Sequence, residues 1–298
     1  MPEVVFTGPA GRLEGRFHQS ATRGAPIALI LHPHPQFGGT MNNQIVYNLY
    51  YAFAERGFSV LRFNFRGVGR SEGCFDYGVG ELADAAAALD WAQAVDPTAR
   101  ASWIAGVSFG SWIAMQLLMR RPEIEGFVAV AAPANRFDFS FLAPCPRSGL
   151  FIHGDLDRVA PLKEVIEQID ELKTYKDAVI EHAVVPGANH FFEDRLEPLI
   201  SEVDAYLNRR LGEPARIAIP ARAKGRRDRF RAEPTGDGSI RAGGARRLEV
   251  GGVCRRFCQT PKLGALYSLG ELASYFVAIA LHCINSLKTT TKDRCRRR

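Results

Sequence analysis

The chain has 298 residues, 46% of them apolar, enough for one large core or two small ones. Its formal charge of +6 describes neither part: residues 1–212 carry 19 Lys and Arg against 25 Asp and Glu, and residues 213–298 carry 19 against 7. The acidic first part therefore excludes the nucleic-acid-binding body that the overall balance suggests.

In chain order, residues 4–6 and 13–17 pair as a hairpin around Gly8-Pro9 and Gly11. The unbroken apolar run IALIL (27–31) predicts a strand covered on both faces. Residues 43–56 carry Ile45, Leu49 and Phe53 at helical spacing and stop at Gly57. A strand over 59–65, an Ala-rich helix over 81–94, a strand over 103–107 and a helix over 110–121 follow. Strands at 126–131, 149–153 and 178–185, with helices at 162–172 and 195–211, complete the pattern. Alternating strands and helices predict an α/β fold, a mostly parallel sheet with helices on both faces. Ligands then lie beyond the carboxyl ends of the strands.

After Gly212 the periodicity stops. Residues 221–244 are Arg/Gly-rich without a repeating apolar face, which predicts disorder. Residues 263–287 are apolar and long enough to span a bilayer, but Glu271 and His282 argue against a membrane contact there. The expected division is a catalytic domain over 1–212 and a basic tail over 213–298. Contact of that tail with RNA or an anionic membrane is a weaker reading than an idle, solvated extension. Cys254 and Cys258 lack a second ligand pair for zinc. Cys74 and Cys145, isolated in the body, suit a reducing compartment, and the opening residues lack the basic-then-apolar pattern of a signal peptide. The body is expected to be cytoplasmic.

Chemistry gathers just after the strands. In GVSFG (106–110), Ser108 stands between a strand and a helix with glycine two residues before and two after. So sharp a turn exposes the hydroxyl and brings the −2 and +2 positions too close for side chains, the pattern of a nucleophile elbow. The helix N-terminus adds free N–H groups and a positive dipole end for an oxyanion. A serine hydroxyl needs a base; in this setting an acid and then a histidine follow it, leaving His182, His190 or His282. His182 falls within a predicted strand and His282 in the tail. His190, in the PGANHF loop before the last helix, is the choice. HGDLDRVAP (153–161) offers Asp155 and Asp157 as the acid, and spacing does not separate them. The oxyanion donors are expected to be the Phe109 N–H and, because Pro33 and Pro35 have none, the His34 N–H, the first after the strand, with those of Gln36 and Phe37 behind it. Gly67–Gly73 departs from the dinucleotide fingerprint at Glu72 and reads as a turn. His32, His34, Asp155 and Asp157 sit on separate loops and make a poor metal cluster, so no metal or cofactor is expected.

HPHPQFGGTMNN (32–43), FNFRGVGRSEG (63–73), GVSFGS (106–111), HGDLDRVAP (153–161) and GANHFF (187–192), in this order, resemble the α/β-hydrolase superfamily. Within it the likeness is to small bacterial serine hydrolases related to dienelactone hydrolases and esterases, over residues 4–211. The resemblance implies Ser108 as nucleophile, His190 as base and Asp157 as acid, the family placing its acid three residues after the His-Gly pair. It also implies the His34 N–H as oxyanion donor, although His-Pro stands here where the family has His-Gly. The dienelactone hydrolases proper use cysteine, so their substrate does not carry over. Residues 132–148, where this superfamily commonly inserts its lid, are too few for a large cap. Phe37 and Phe139 are the substrate-contact candidates, with at least two of Phe137, Phe139 and Phe141 expected to pack on the sheet. The expected activity is a serine hydrolase that cleaves small, soluble carboxylic esters through an acyl-enzyme. A peptidase of the same fold and a non-catalytic binding protein are the alternatives.

Overall fold

A computed structural model describes residues 1–212 except 143, 144, 146 and 174–179. The tail, its apolar stretch at 263–287 and His282 lie outside the described residues.

The hairpin forms from Glu3–Gly8 (β1) and Gly11–His18 (β2), longer than apolar patterning indicates because the ladder recruits Glu3, Gly8 and Gly11 as pairing residues. Ile27–Leu31 (β3), Ser59–Phe63 (β4), Ser102–Val107 (β5), Ile124–Val130 (β6), Ser148–Gly154 (β7) and Ile180–Val185 (β8) complete one eight-stranded sheet in the order β1-β2-β4-β3-β5-β6-β7-β8. β1 and β2 pair antiparallel, as do β2 and β4; every later pair is parallel. The expected mostly parallel α/β sheet is thus present. β3, with no exposed residue, still alternates: Ile27, Leu29 and Leu31 enter one core and Ala28 and Ile30 the other.

Among the described residues, five α-helices cover the two faces. Gln44–Ala54 (α1) and Leu196–Leu211 (α5) pack on one side. Val79–Val95 (α2), Phe109–Leu118 (α3) and Leu162–Lys173 (α4) pack on the other. α1 starts where the Asn43 side chain accepts from the Ile45 and Val46 N–H groups, an N-cap that satisfies donors the first turn leaves free. α2 opens two residues earlier than its apolar pattern indicates, because Glu81 reaches back to the Asp76 and Gly78 N–H groups. Among the described residues, no helix is long and apolar enough to cross a membrane.

The Gly67–Gly73 segment is a turn, as expected. Arg66, on its threshold, makes a buried two-point ion pair with Asp84 of α2 at 2.9 and 2.7 Å, which locks the turn against the helix.

Candidate active site

β5 ends at Val107 and α3 begins at Phe109, so the whole change of direction falls on Ser108, at φ 52° and ψ −121°. This is a costly conformation for an L-residue. It is held from both sides: the Ser108 N–H donates to Val130 O at 2.8 Å, and Ser108 O accepts from Ser111 N and Ser111 Oγ at 2.8 and 2.6 Å. The flanking glycines meet the expected need. A Cβ on Gly106 would lie 2.6 Å from Ser111 Cα and closer still to the Gly110 backbone. A Cβ on Gly110 would stand 2.5 Å from His32 O and 2.6 Å from Leu31 O. Both obstructions are backbone and have nowhere to move.

Ser108 Oγ lies 3.0 Å from His190 Nε2, and His190 Nδ1 lies 2.7 Å from Asp157 Oδ2. Residues from three separate loops therefore form one chain of hydrogen bonds. Of the two aspartates that spacing left open, Asp157 is the one bonded to His190; Asp155 instead accepts the Gly187 N–H at 2.6 Å. Asp155 thereby ties the loop after β7 to the loop carrying His190. Leu156 N donating to Ala188 O at 3.0 Å is a second tie, and Gly154 leaves the space that Ala188 O occupies. His190 itself is steadied by Asn189, whose Oδ1 accepts from the Phe191 and Glu193 N–H groups.

The Asp157 carboxylate is buried, and burial alone would raise its pKa. The hydrogen bond with His190 and those from the Ala160 and Val159 N–H groups, both 2.8 Å, outweigh burial and hold it below the ordinary value. It is therefore ionised at neutral pH. Directly beneath lies His153, fully buried, its Nε2 3.1 Å from Ala160 O. Burial depresses its pKa to about 4, so it is neutral and its Nε2 is the donor in that bond.

His32 closes β3. Its Nε2 accepts from Phe65 N at 3.0 Å, which leaves Nδ1 to donate to Pro33 O at 2.6 Å; burial takes its pKa to about 4. Both nitrogens are spent on bracing the loop. The loop then folds back on itself, since Gly39 leaves no room for a Cβ beside Pro33 O. In it the His34 ring accepts from Gln36 N and packs on Phe37, Phe75 and Phe109 at 4.7 to 4.8 Å between centroids. Burial, assisted by the positive charge of Arg136, brings the His34 pKa to about 4. The loop carrying His34 thus packs on Phe109, the first residue of α3, whose N–H has no partner within the helix.

Phe37, expected to contact substrate, is 77% exposed and packs beside His34. Phe139 differs from expectation. It is buried and packs edge-on to Phe151 of β7, so it offers a substrate no surface. Of the three slot phenylalanines, Phe137 comes nearest the elbow. It stacks on Trp112 of α3 at 4.2 Å and lies 6.1 Å from Phe109. His182 stays on β8, paired with Phe151 of β7. Spacing alone did not reveal Asn135, whose side chain donates to Val159 O at 3.0 Å and ties the slot to the acid's loop.

Comparison with known proteins places these features. The model of the S15 family, described as X-Pro dipeptidyl-peptidase, matches residues 6–188. The chain belongs to the S15 family. That match spans Ser108 and Asp157 and ends two residues before His190. An uncharacterised protein of Rickettsia prowazekii is 48% identical over 211 residues, 70% of this chain and 89% of its own. A structure of unknown function from Agrobacterium tumefaciens superposes with a TM-score of 0.70 at 62% identity, over 70% of this chain and 96% of its own. An α/β serine hydrolase without a lid from Xanthomonas campestris gives 0.64 at 31%, over 72% and 95%. This S15 member is an α/β hydrolase, and β6 and β7 are joined by only residues 131–147.

Proposed function

We propose that the chain is a serine hydrolase of small, soluble carboxylic esters, working through an acyl-enzyme with Ser108 as nucleophile, His190 as base and Asp157 as acid. The observation that carries this reading is the His190 ring bridging Ser108 Oγ at 3.0 Å and Asp157 Oδ2 at 2.7 Å. His190 Nε2 takes the hydroxyl proton as Oγ attacks the ester carbonyl. The ionised Asp157 accepts Nδ1–H, which fixes the tautomer with Nε2 free and stabilises the imidazolium. The Phe109 and His34 N–H groups receive the oxyanion. The tetrahedral adduct then expels the alcohol, protonated by His190, and water repeats the attack on the acyl-enzyme. The short β6–β7 connection supports small substrates, since it has too few residues for a large cap.

The family's description favours a second reading, cleavage of peptides at X-Pro bonds. Short p-nitrophenyl esters and X-Pro p-nitroanilides, compared by kcat/KM, separate the two. The ester reading expects acetate and butyrate esters to be preferred by orders of magnitude after allowance for their greater intrinsic reactivity. Faster turnover of the anilides replaces it with the peptidase.

A further inference from the structure

The segment after β6 carries a cation that the steps above do not use. Residues 133–137 form a tight turn in which the Arg136 and Phe137 N–H groups both donate to Pro133 O at 3.0 Å. The turn is fastened on both flanks. Asn135 is bonded to Val159 O in the loop of the acid, and Phe137 is stacked on Trp112 in the helix of the elbow. Arg136, between these anchors, is exposed, and among the described residues it has no carboxylate within ion-pair distance. The neighbouring Asp138 is taken by Ser140, which donates N–H and Oγ–H to its two oxygens at 2.7 and 2.8 Å. Phe137, the next residue, lies 6.1 Å from Phe109, on which the His34 ring packs, so the turn brings Arg136 to this side of the site; its positive charge helps to lower the His34 pKa. A guanidinium with no ion-pair partner among the described residues is thus carried on a turn anchored to the loop of Asp157 and to the helix that follows Ser108, in a body whose own charge is negative and repels anions at longer range.

We propose that Arg136 is a specificity residue that selects esters bearing a carboxylate close to the scissile bond. The proposal rests on the ester-hydrolase reading. A guanidinium holds a carboxylate through two parallel N–H···O bonds, a geometry that lysine does not reproduce. The attraction acts on substrate binding more than on chemistry, so it resides in KM.

The test compares three substrates: p-nitrophenyl butyrate, which is neutral; mono-p-nitrophenyl glutarate, with the carboxylate on the acyl side; and 4-carboxyphenyl butyrate, with it on the alcohol side. For the folded parent, Arg136→Ala, Arg136→Glu and Arg136→Lys, the quantity read is the ratio of kcat/KM for each anionic ester to that for the neutral one. Arg136→Ala is expected to lower this ratio by about tenfold for one anionic ester, through KM. Arg136→Glu is expected to lower it further, and Arg136→Lys to restore it in part. Which ester responds assigns the side on which the anion sits. The parent's ratio is also expected to fall as salt rises from 0.05 to 0.5 M. If the ratios of both anionic esters stay within threefold of the parent in Arg136→Ala, the proposal is wrong while the ester reading stands. If the parent cleaves none of the three, the ester reading fails and this proposal with it.

Discussion

Ser108 is predicted to be strained, and replacing it by glycine rather than alanine measures the strain. Both substitutions remove Oγ and with it the 3.0 Å contact to His190, so that loss cancels between them. They differ at the backbone. Alanine must keep a Cβ at φ 52° and ψ −121°, a conformation that costs roughly 1–3 kcal/mol. Glycine adopts it freely but loses about 0.5–1 kcal/mol more in chain entropy on folding. The difference leaves Ser108→Gly about 1 kcal/mol more stable than Ser108→Ala, or about 2–4 °C in Tm for a body of this size. Urea denaturation of both variants at one pH reads the difference directly. A glycine variant less stable than the alanine one by half a kcal/mol or more would show that the elbow stores no backbone strain.

Gly110→Ala sets a methyl against His32 O and Leu31 O, which belong to the rigid end of β3; a loss of roughly 2–3 kcal/mol, or failure to fold, is expected in the same assay. Asp157→Asn removes the anion that stabilises the His190 imidazolium and is expected to lower ester kcat by 10³-fold or more, on the order seen for such a change elsewhere. Asp155→Asn retains an acceptor for the Gly187 N–H and is expected to stay within about tenfold of the parent; equal losses would remove the distinction between the two. Stability is also expected to fall as pH drops from 7 to 5. Buried His32 and His153 have folded pKa values of about 4 against 6.5 when unfolded, so in this window the unfolded chain binds more protons. The difference is fully present above pH 7 and diminishes as pH falls from 6.5 toward 4, by about 2 kcal/mol per histidine at pH 5. Denaturation midpoints that do not change between pH 7 and 5 would contradict it.

The elements legible in the sequence are those whose apolar pattern and end signals agree. IALIL lies between Pro26 and His32-Pro33 and forms β3 over the residues expected. β1 and β2 are longer than expected because hydrogen bonding to a neighbouring strand, rather than side-chain preference, decides where a strand ends. The elbow was legible because its glycines answer a local steric demand that two residues of context reveal. The choice between Asp155 and Asp157 was not, since it depends on how two loops roughly 110 Å of extended chain apart come to meet; only the resemblance favoured Asp157. Phe139 was misplaced for a similar reason. The alternation in RFDFSF would put Phe137, Phe139 and Phe141 on one face of an extended chain; the chain turns here instead, and packing against Phe151 and Trp112 decides which one turns inward.

The central claim is that Ser108 is a nucleophile activated by His190. A fluorophosphonate probe, followed by mass mapping of the labelled peptide, tests it most directly. The account predicts one adduct, on Ser108, absent from Ser108→Ala and formed at least a hundredfold more slowly in His190→Ala. Undiminished labelling of Ser108→Ala, or an adduct on another residue of the parent, would contradict it.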